Sequence, residues 1–186
     1  MADTSPTPPP SPPQAKPGSP IVDPAALVAT FFSVIRGPGD FFKAAKEEQG
    51  LQRCVTFSVA SWLVFGVLML LVRILYGHGF GAGVRELVQD VIFGLVGPFI
   101  DGLIIWIVCL ILGSKAPYEP SVRIASYASA VMPIVGVFKL VKWIGWLGAL
   151  AACVYGLYIV VMGARTLNFE PPPPPSPPPT QPPPEA

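Results

Sequence analysis

Four long apolar runs, Val55–Tyr76, Val88–Leu112, Val122–Phe138 and Trp143–Gly163, contain only Arg73, Asp90, Asp101 and Arg123 as charges. A helix rises ~1.5 Å per residue and the hydrocarbon layer is ~30 Å thick, so ~20 apolar residues cross it. Inside lipid each backbone donor and acceptor must be satisfied within its own segment, which makes every run a helix. The sequence therefore predicts an all-α, polytopic transmembrane helix bundle with about four spans. The third run is short and carries Pro133, so a tilted or re-entrant segment is the alternative there.

A soluble domain of this size would carry ~25 % charged residues; this chain carries 12 %, with 52 % hydrophobic residues and a mean hydropathy of +0.57. A net charge of +1 and the lack of a basic cluster interleaved with aromatics argue against a nucleic-acid partner. Cys54, Cys109 and Cys153 are far apart, with no C-x-x-C pair, and make no metal site; Cys109 and Cys153 read as small buried hydrophobes, and Cys54 sits beside the membrane, a position that permits lipidation. His78 has no second histidine to work with, and the loop Gly77–Gly83 lacks the Lys-Ser/Thr that would make it a phosphate loop. No serine sits in a Gly-x-Ser-x-Gly setting. The expectation is a protein that is not an enzyme, with no metal and no cofactor.

The two ends, residues 1–22 and 169–186, differ sharply from the middle. Nine prolines precede Ala25 and eleven follow Phe169, a composition that favours extended polyproline II and cannot build a core. These disordered Pro-rich tails read either as docking strips for aromatic grooves on cytoplasmic proteins or as stiff spacers. The first twenty residues lack the apolar stretch of a cleavable signal peptide. With four crossings, eight lysines and arginines fall on the side of the tails and four on the other, which predicts both termini in the cytoplasm.

Residues 23–50 read as amphipathic cytoplasmic or interfacial helices, a collar beneath the spans at 51–168. Asp23 caps a first helix opening at Pro24 and ending at Gly37-Pro38-Gly39, with Leu27, Phe31 and Phe32 on its apolar side. Asp40 is expected to cap a second, in which Phe41, Phe42 and Ala45 face apolar surroundings and Gly50 closes the turn. Within the spans, Gly145, Ala149, Ala152 and Gly156 recur at three- and four-residue steps, a close-packing face. Pro98 and Pro133 each remove a helical hydrogen bond, to Gly94 and Ser129 respectively, so kinks are expected, with the Ser129 hydroxyl able to compensate. Asp101 is the candidate functional carboxylate. Placed mid-span, it would cost ~2.5–3.5 kcal/mol if ionised and should face the bundle, water or a cation. Arg123 or Lys139 could pair with it, and Ser126 or Tyr127 could bond it in a purely structural role. Asp90 lies at the span mouth.

Three stretches carry a resemblance: Phe31-Phe32…Gly37-Pro38…Phe41-Phe42, then Arg123-x-Ala125-Ser126-Tyr127-Ala128-Ser129…Pro133, then Tyr155-Gly156-x-Tyr158…Gly163. Together, over Ala25 to Asn168, they resemble the Yip1 family in a compact bacterial-type form. The resemblance implies a multi-pass integral membrane protein, in this form of the bacterial inner membrane, that is not an enzyme. It is usually described with five spans, so a fifth is possible by resemblance. Eukaryotic relatives act in vesicle traffic and contact Rab-type GTPases, but their acidic amino-terminal region is replaced here by Pro, Ser and Thr, so that partner is not carried over. The expected function is an adaptor or organiser that binds membrane lipid, other membrane proteins or itself, and cytoplasmic proteins through its tails. The rival is a small transporter or channel subunit using Asp101 and the kinks at Pro98 and Pro133, with Arg123 and Ser129 nearby, to line a proton or solute path.

Overall fold

The computed structural model describes residues 23–48, 50–77, 80–141 and 145–169. The Pro-rich tails, His78 and Gly79 of the glycine loop, and Trp143, with which the last run opens, lie outside the described residues. Within them the chain forms α1 (Pro24–Arg36), α2 (Pro38–Ala45), α3 (Gln52–Leu75), α4 (Phe80–Ile111), α5 (Glu119–Ala128), α6 (Val131–Lys139) and α7 (Gly145–Ala164), which continues into a π-helical turn, Arg165–Phe169.

Asp23 Oδ1 accepts the Ala25 N–H at 2.9 Å and Pro24 occupies the first turn, so α1 opens where the sequence places it. The second collar helix starts earlier than expected, at Pro38. Proline's fixed φ suits a first helical position, where its missing N–H has no partner to lose. Asp40 is therefore inside the first turn rather than capping it, and pairs with Lys43 Nζ at 3.3 Å. Gly50, at φ +76°, makes the turn into α3 in a conformation that favours glycine.

Four segments are long and apolar enough to cross a membrane: Gln52–Leu75, Phe80–Ile111, Glu119–Lys139 and Gly145–Phe169. Among the described residues there is no fifth. The third reaches full length because its helix opens at Glu119, three residues before Val122. It is also the most enclosed of the four, which lets it tolerate Glu119, Arg123 and three serines where a lipid-facing helix would not. Its halves, α5 and α6, are separated by a turn at Ser129–Ala130. Pro133 cannot donate to the Ser129 carbonyl, and the Met132 N–H takes that oxygen instead at 2.9 Å. The tighter bond breaks the helix. The Ser129 hydroxyl donates to Ser126 O at 2.6 Å, one turn earlier than the bond that Pro133 removes. At Pro98, by contrast, α4 continues without interruption.

The spans alternate in direction along the chain. α3 and α5–α6 leave the collar side by side: the Phe57 and Tyr127 rings are 5.5 Å apart, and further along Gly136 lies against Leu68 and Phe65. α4 and α7 return, with Gly156 opposite Val131 and Gly163 reaching Phe42 and Ile124 of the collar layer. Both ends of the described chain consequently lie at the collar end. The core runs along α5 and α6, where Val122, Ile124 and Tyr127 are almost completely buried, and extends to Ile159 of α7. Outward, α3, α4 and α7 present exposed apolar residues such as Leu71, Ile104 and Leu157, the surface lipid requires.

Candidate functional site

The collar is locked to the bundle by a compact set of buried contacts. Phe42 and Val34 are fully buried, and Phe41 stacks edge-on to Tyr127 with centroids 4.7 Å apart. Burying one such aromatic side chain is worth ~1.5–3 kcal/mol. Around this apolar seat sit directional bonds. Tyr127 Oη donates to Glu48 Oε2 at 2.7 Å, and the other Glu48 oxygen has Arg53 Nε at 3.6 Å. Arg123 donates to Glu119 Oε1 at 2.6 Å and to the Ala45 carbonyl at 3.4 Å. At the opposite edge of the collar the Tyr155 hydroxyl donates to the carbonyl of Ile35. Arg123 thus fixes the last turn of α2, whose carbonyls would otherwise lack partners, and belongs to the junction rather than to Asp101.

The register of α3 against α4 fixes what each aspartate lies beside. A side chain added at Gly94 would meet Val59 and Trp62, one at Gly66 would meet Leu87 and Asp90, and one at Gly83 would meet Leu70. Followed seven residues past Gly94, that pairing brings Asp101 level with the first turn of α3, where Gln52 and Arg53 end the apolar stretch. Gly102 agrees, packing on the backbone of Val122 near the start of α5. Asp101 is exposed and makes no hydrogen bond or ion pair among the described residues. It does not face the bundle and does not meet Lys139, Ser126 or Tyr127. Exposed apolar residues flank it on α4, Ile100 before it and Ile104 after it.

Asp90, in contrast, is half-buried and lies against Gly66, midway along α3, with Oδ2 3.1 Å from where a Gly66 side chain would begin. One turn earlier on α4, Glu86 forms an ion pair with Arg73 of α3. Lys139 holds its ammonium over the Phe65 ring at 5.8 Å on the neighbouring helix. The charged stripe within the spans is Arg73, Glu86 and Asp90. A signal for it was present in the sequence. Gly83, Gly94, Pro98 and Gly102 recur at helical spacing and mark the buried side of α4, and Asp90 stands one turn before Gly94.

The small residues of α7 pack within the chain. A side chain added at Gly145 would begin 3.1 Å from the Phe138 carbonyl and one at Gly156 3.5 Å from Val131, while Ala152 is buried and Ala149 packs against the core. Two further glycines that the spacing argument omits complete the face. Gly148 accommodates the Phe138 ring and Gly163 accommodates Phe42. Pro98 is buried and Pro133 half-buried, on α4 and α6 respectively.

No group of histidine, cysteine, aspartate or glutamate able to hold a metal occurs among the described residues. What the geometry defines is a multi-pass integral membrane protein: four apolar helices with a short helical collar clamped to one end. Residues 32–172 match the Yip1 domain, and the chain belongs to the Yip1 family. The match begins inside α1 and so takes in most of the collar with all four spans. Neither the comparison with curated proteins nor that with solved structures gives a match.

Proposed function

We propose that this Yip1 protein is a non-enzymatic adaptor or organiser, that its collar is the docking platform, and that the collar and both tails face the cytoplasm of a bacterial cell from its inner membrane. The observation that carries the reading is the collar junction. Two short helices that could not hold their shape alone are fixed to the spans by Phe42, Tyr127 and Arg123. Their outer side is left open: Val28 and Phe32 of α1 remain exposed. A platform held this firmly presents a constant surface to a partner at little ordering cost. The excess of lysine and arginine on the tail side supports the orientation.

A photo-crosslinking residue at Val28 or Phe32 of the full chain, used in native membranes, tests this. A discrete protein adduct from the collar positions, absent from Ile104 or Leu157 on the lipid-facing surface, is the expected result. Identical adducts from both sets would end the adaptor reading. The transporter rival, built on Asp101 with Pro98 and Pro133, gains a second candidate carboxylate in Asp90 beside Gly66. If it held, Asp90→Asn would abolish solute or proton flux into proteoliposomes containing the protein, whereas an adaptor gives no flux to lose.

A further inference from the structure

Between the α1–α2 turn and the collar end of α7 lies a cleft of about 1020 Å³. Its wall carries Arg36, Lys43 and Arg165 against one carboxylate, Asp40, a balance of three positive charges to one negative. That carboxylate is already engaged by Lys43 at 3.3 Å. Arg165 is exposed and has no acidic partner among the described residues. Arg36 places its guanidinium over the Phe32 ring at 5.1 Å, an arrangement that uses the face of the group and leaves its edge donors free. Guanidinium edges match phosphate oxygens in pairs.

The cleft also opens onto an apolar track. Tyr155 and Tyr158 line it with ring centroids 5.7 Å apart. From Tyr158 the outer face of α7 continues away from the cleft through Leu157, Val154, Leu150 and Leu147, all exposed. Cations at one end, tyrosines at the boundary and an exposed aliphatic strip below reproduce the order of an anionic phospholipid: phosphate, glycerol, acyl chain. We infer that the cleft is a binding site for the headgroup of an anionic phospholipid, with Arg36 and Arg165 on the phosphodiester and the chains along α7. A free phosphate would use the arginines and leave the strip unexplained, so the lipid is the occupant the surface fits. This inference stands apart from the adaptor reading, since the site requires no protein partner.

Native mass spectrometry of the full chain in neutral detergent, titrated in separate arms with phosphatidylglycerol, phosphatidylcholine and glycerol phosphate, provides the test. Phosphatidylglycerol should be retained in preference to phosphatidylcholine. Each basic residue at a membrane surface contributes enough that Arg165→Gln should weaken phosphatidylglycerol about fivefold and Arg36→Gln/Arg165→Gln about 25-fold. Lys115→Gln, an equal charge loss at an exposed loop position outside the cleft, should change it by less than about twofold. Equal retention of the two lipids, an unchanged double variant, or equal damage from Lys115→Gln would overturn the site. Glycerol phosphate binding as tightly as phosphatidylglycerol would overturn the lipid assignment. Should the double variant not remain monodisperse, Arg165→Gln alone decides, because that residue is exposed in a terminal turn.

Discussion

Tyr127→Phe isolates the polar part of the collar junction, because it removes one hydroxyl and leaves the ring. The ring keeps its neighbours Phe41, Phe42 and Phe57, at centroid distances of 4.7, 6.4 and 5.5 Å. What is lost is the donor 2.7 Å from Glu48 Oε2. The Glu48 side chain is only 13 % exposed and its second oxygen has Arg53 at a long 3.6 Å, so water replaces the missing donor poorly. A hydrogen bond to a charged group contributes ~1.5–3 kcal/mol. Taking about 2 kcal/mol, with about 1.4 kcal/mol per tenfold, local opening of α2 from the bundle should become about thirtyfold more frequent. Hydrogen exchange of the full chain in micelles reads this directly. Amides of residues 39–45 should exchange faster by about that factor, while α3 and α7 keep their protection. Glu48→Gln should loosen the same segment, and the pair of changes should add little to either one, since both remove the same bond. Unchanged protection in α2, or a uniform rise across every helix, would refute the junction as described.

Three further outcomes follow from the packing. Gly102→Val places a side chain at 2.8 Å from the Cα and 3.0 Å from the amide nitrogen of Val122; backbone cannot step aside, so unfolding in detergent should show a loss of about 1–3 kcal/mol or more. Arg73→Ala leaves the partly exposed Glu86 without its partner and should destabilise by about 1.5–3 kcal/mol, whereas Arg73→Ala with Glu86→Ala should recover most of that loss in the same assay. Pro133→Ala restores an amide whose helical acceptor, Ser129 O, is already held by Met132 N at 2.9 Å; stability should move by less than about 1 kcal/mol, and the turn at Ser129–Ala130 should still exchange faster than α5.

The spans were legible because lipid imposes a local rule: a segment must be apolar, long enough and self-bonded, and each condition is written in consecutive residues. The start of α1 was legible for a similar reason, since Asp23 and Pro24 act on their own first turn. Depth was not. Whether a charge lies mid-membrane depends on how far one helix slides along its neighbour, and that offset is set by where glycines admit the opposite chain. Gly94 against Val59 and Trp62, with Gly102 against Val122, sets Asp101 level with the first turn of α3 and Asp90 against its middle. The junction was hidden differently. Tyr127 and Glu48 are 79 residues apart, and nothing local to either announces the other.

The collar end of the bundle is held by directional bonds, and they bear on where a surface of constant shape can lie. At the collar end, side chains bond backbone or one another across long stretches of chain. Tyr155 reaches Ile35, and Arg123 reaches Ala45. Asn168 Nδ2 donates to Ser121 Oγ at 3.3 Å and lies 3.1 Å from Cys109 Sγ, while the Ser114 hydroxyl donates to the Asn168 carbonyl at 2.7 Å. This last knot ties the π-helical turn after α7 to the overhang of α4, which at 32 residues is longer than the 24-residue α3 by eight residues, or about 12 Å. Toward the other end, Arg73 pairs with Glu86, Lys139 lies over the Phe65 ring at 5.8 Å and Tyr76 donates to Leu140 O at 3.1 Å. On the adaptor reading, a surface for partners belongs at the collar end, because side chains bonded to backbone over such long stretches of chain hold its geometry constant.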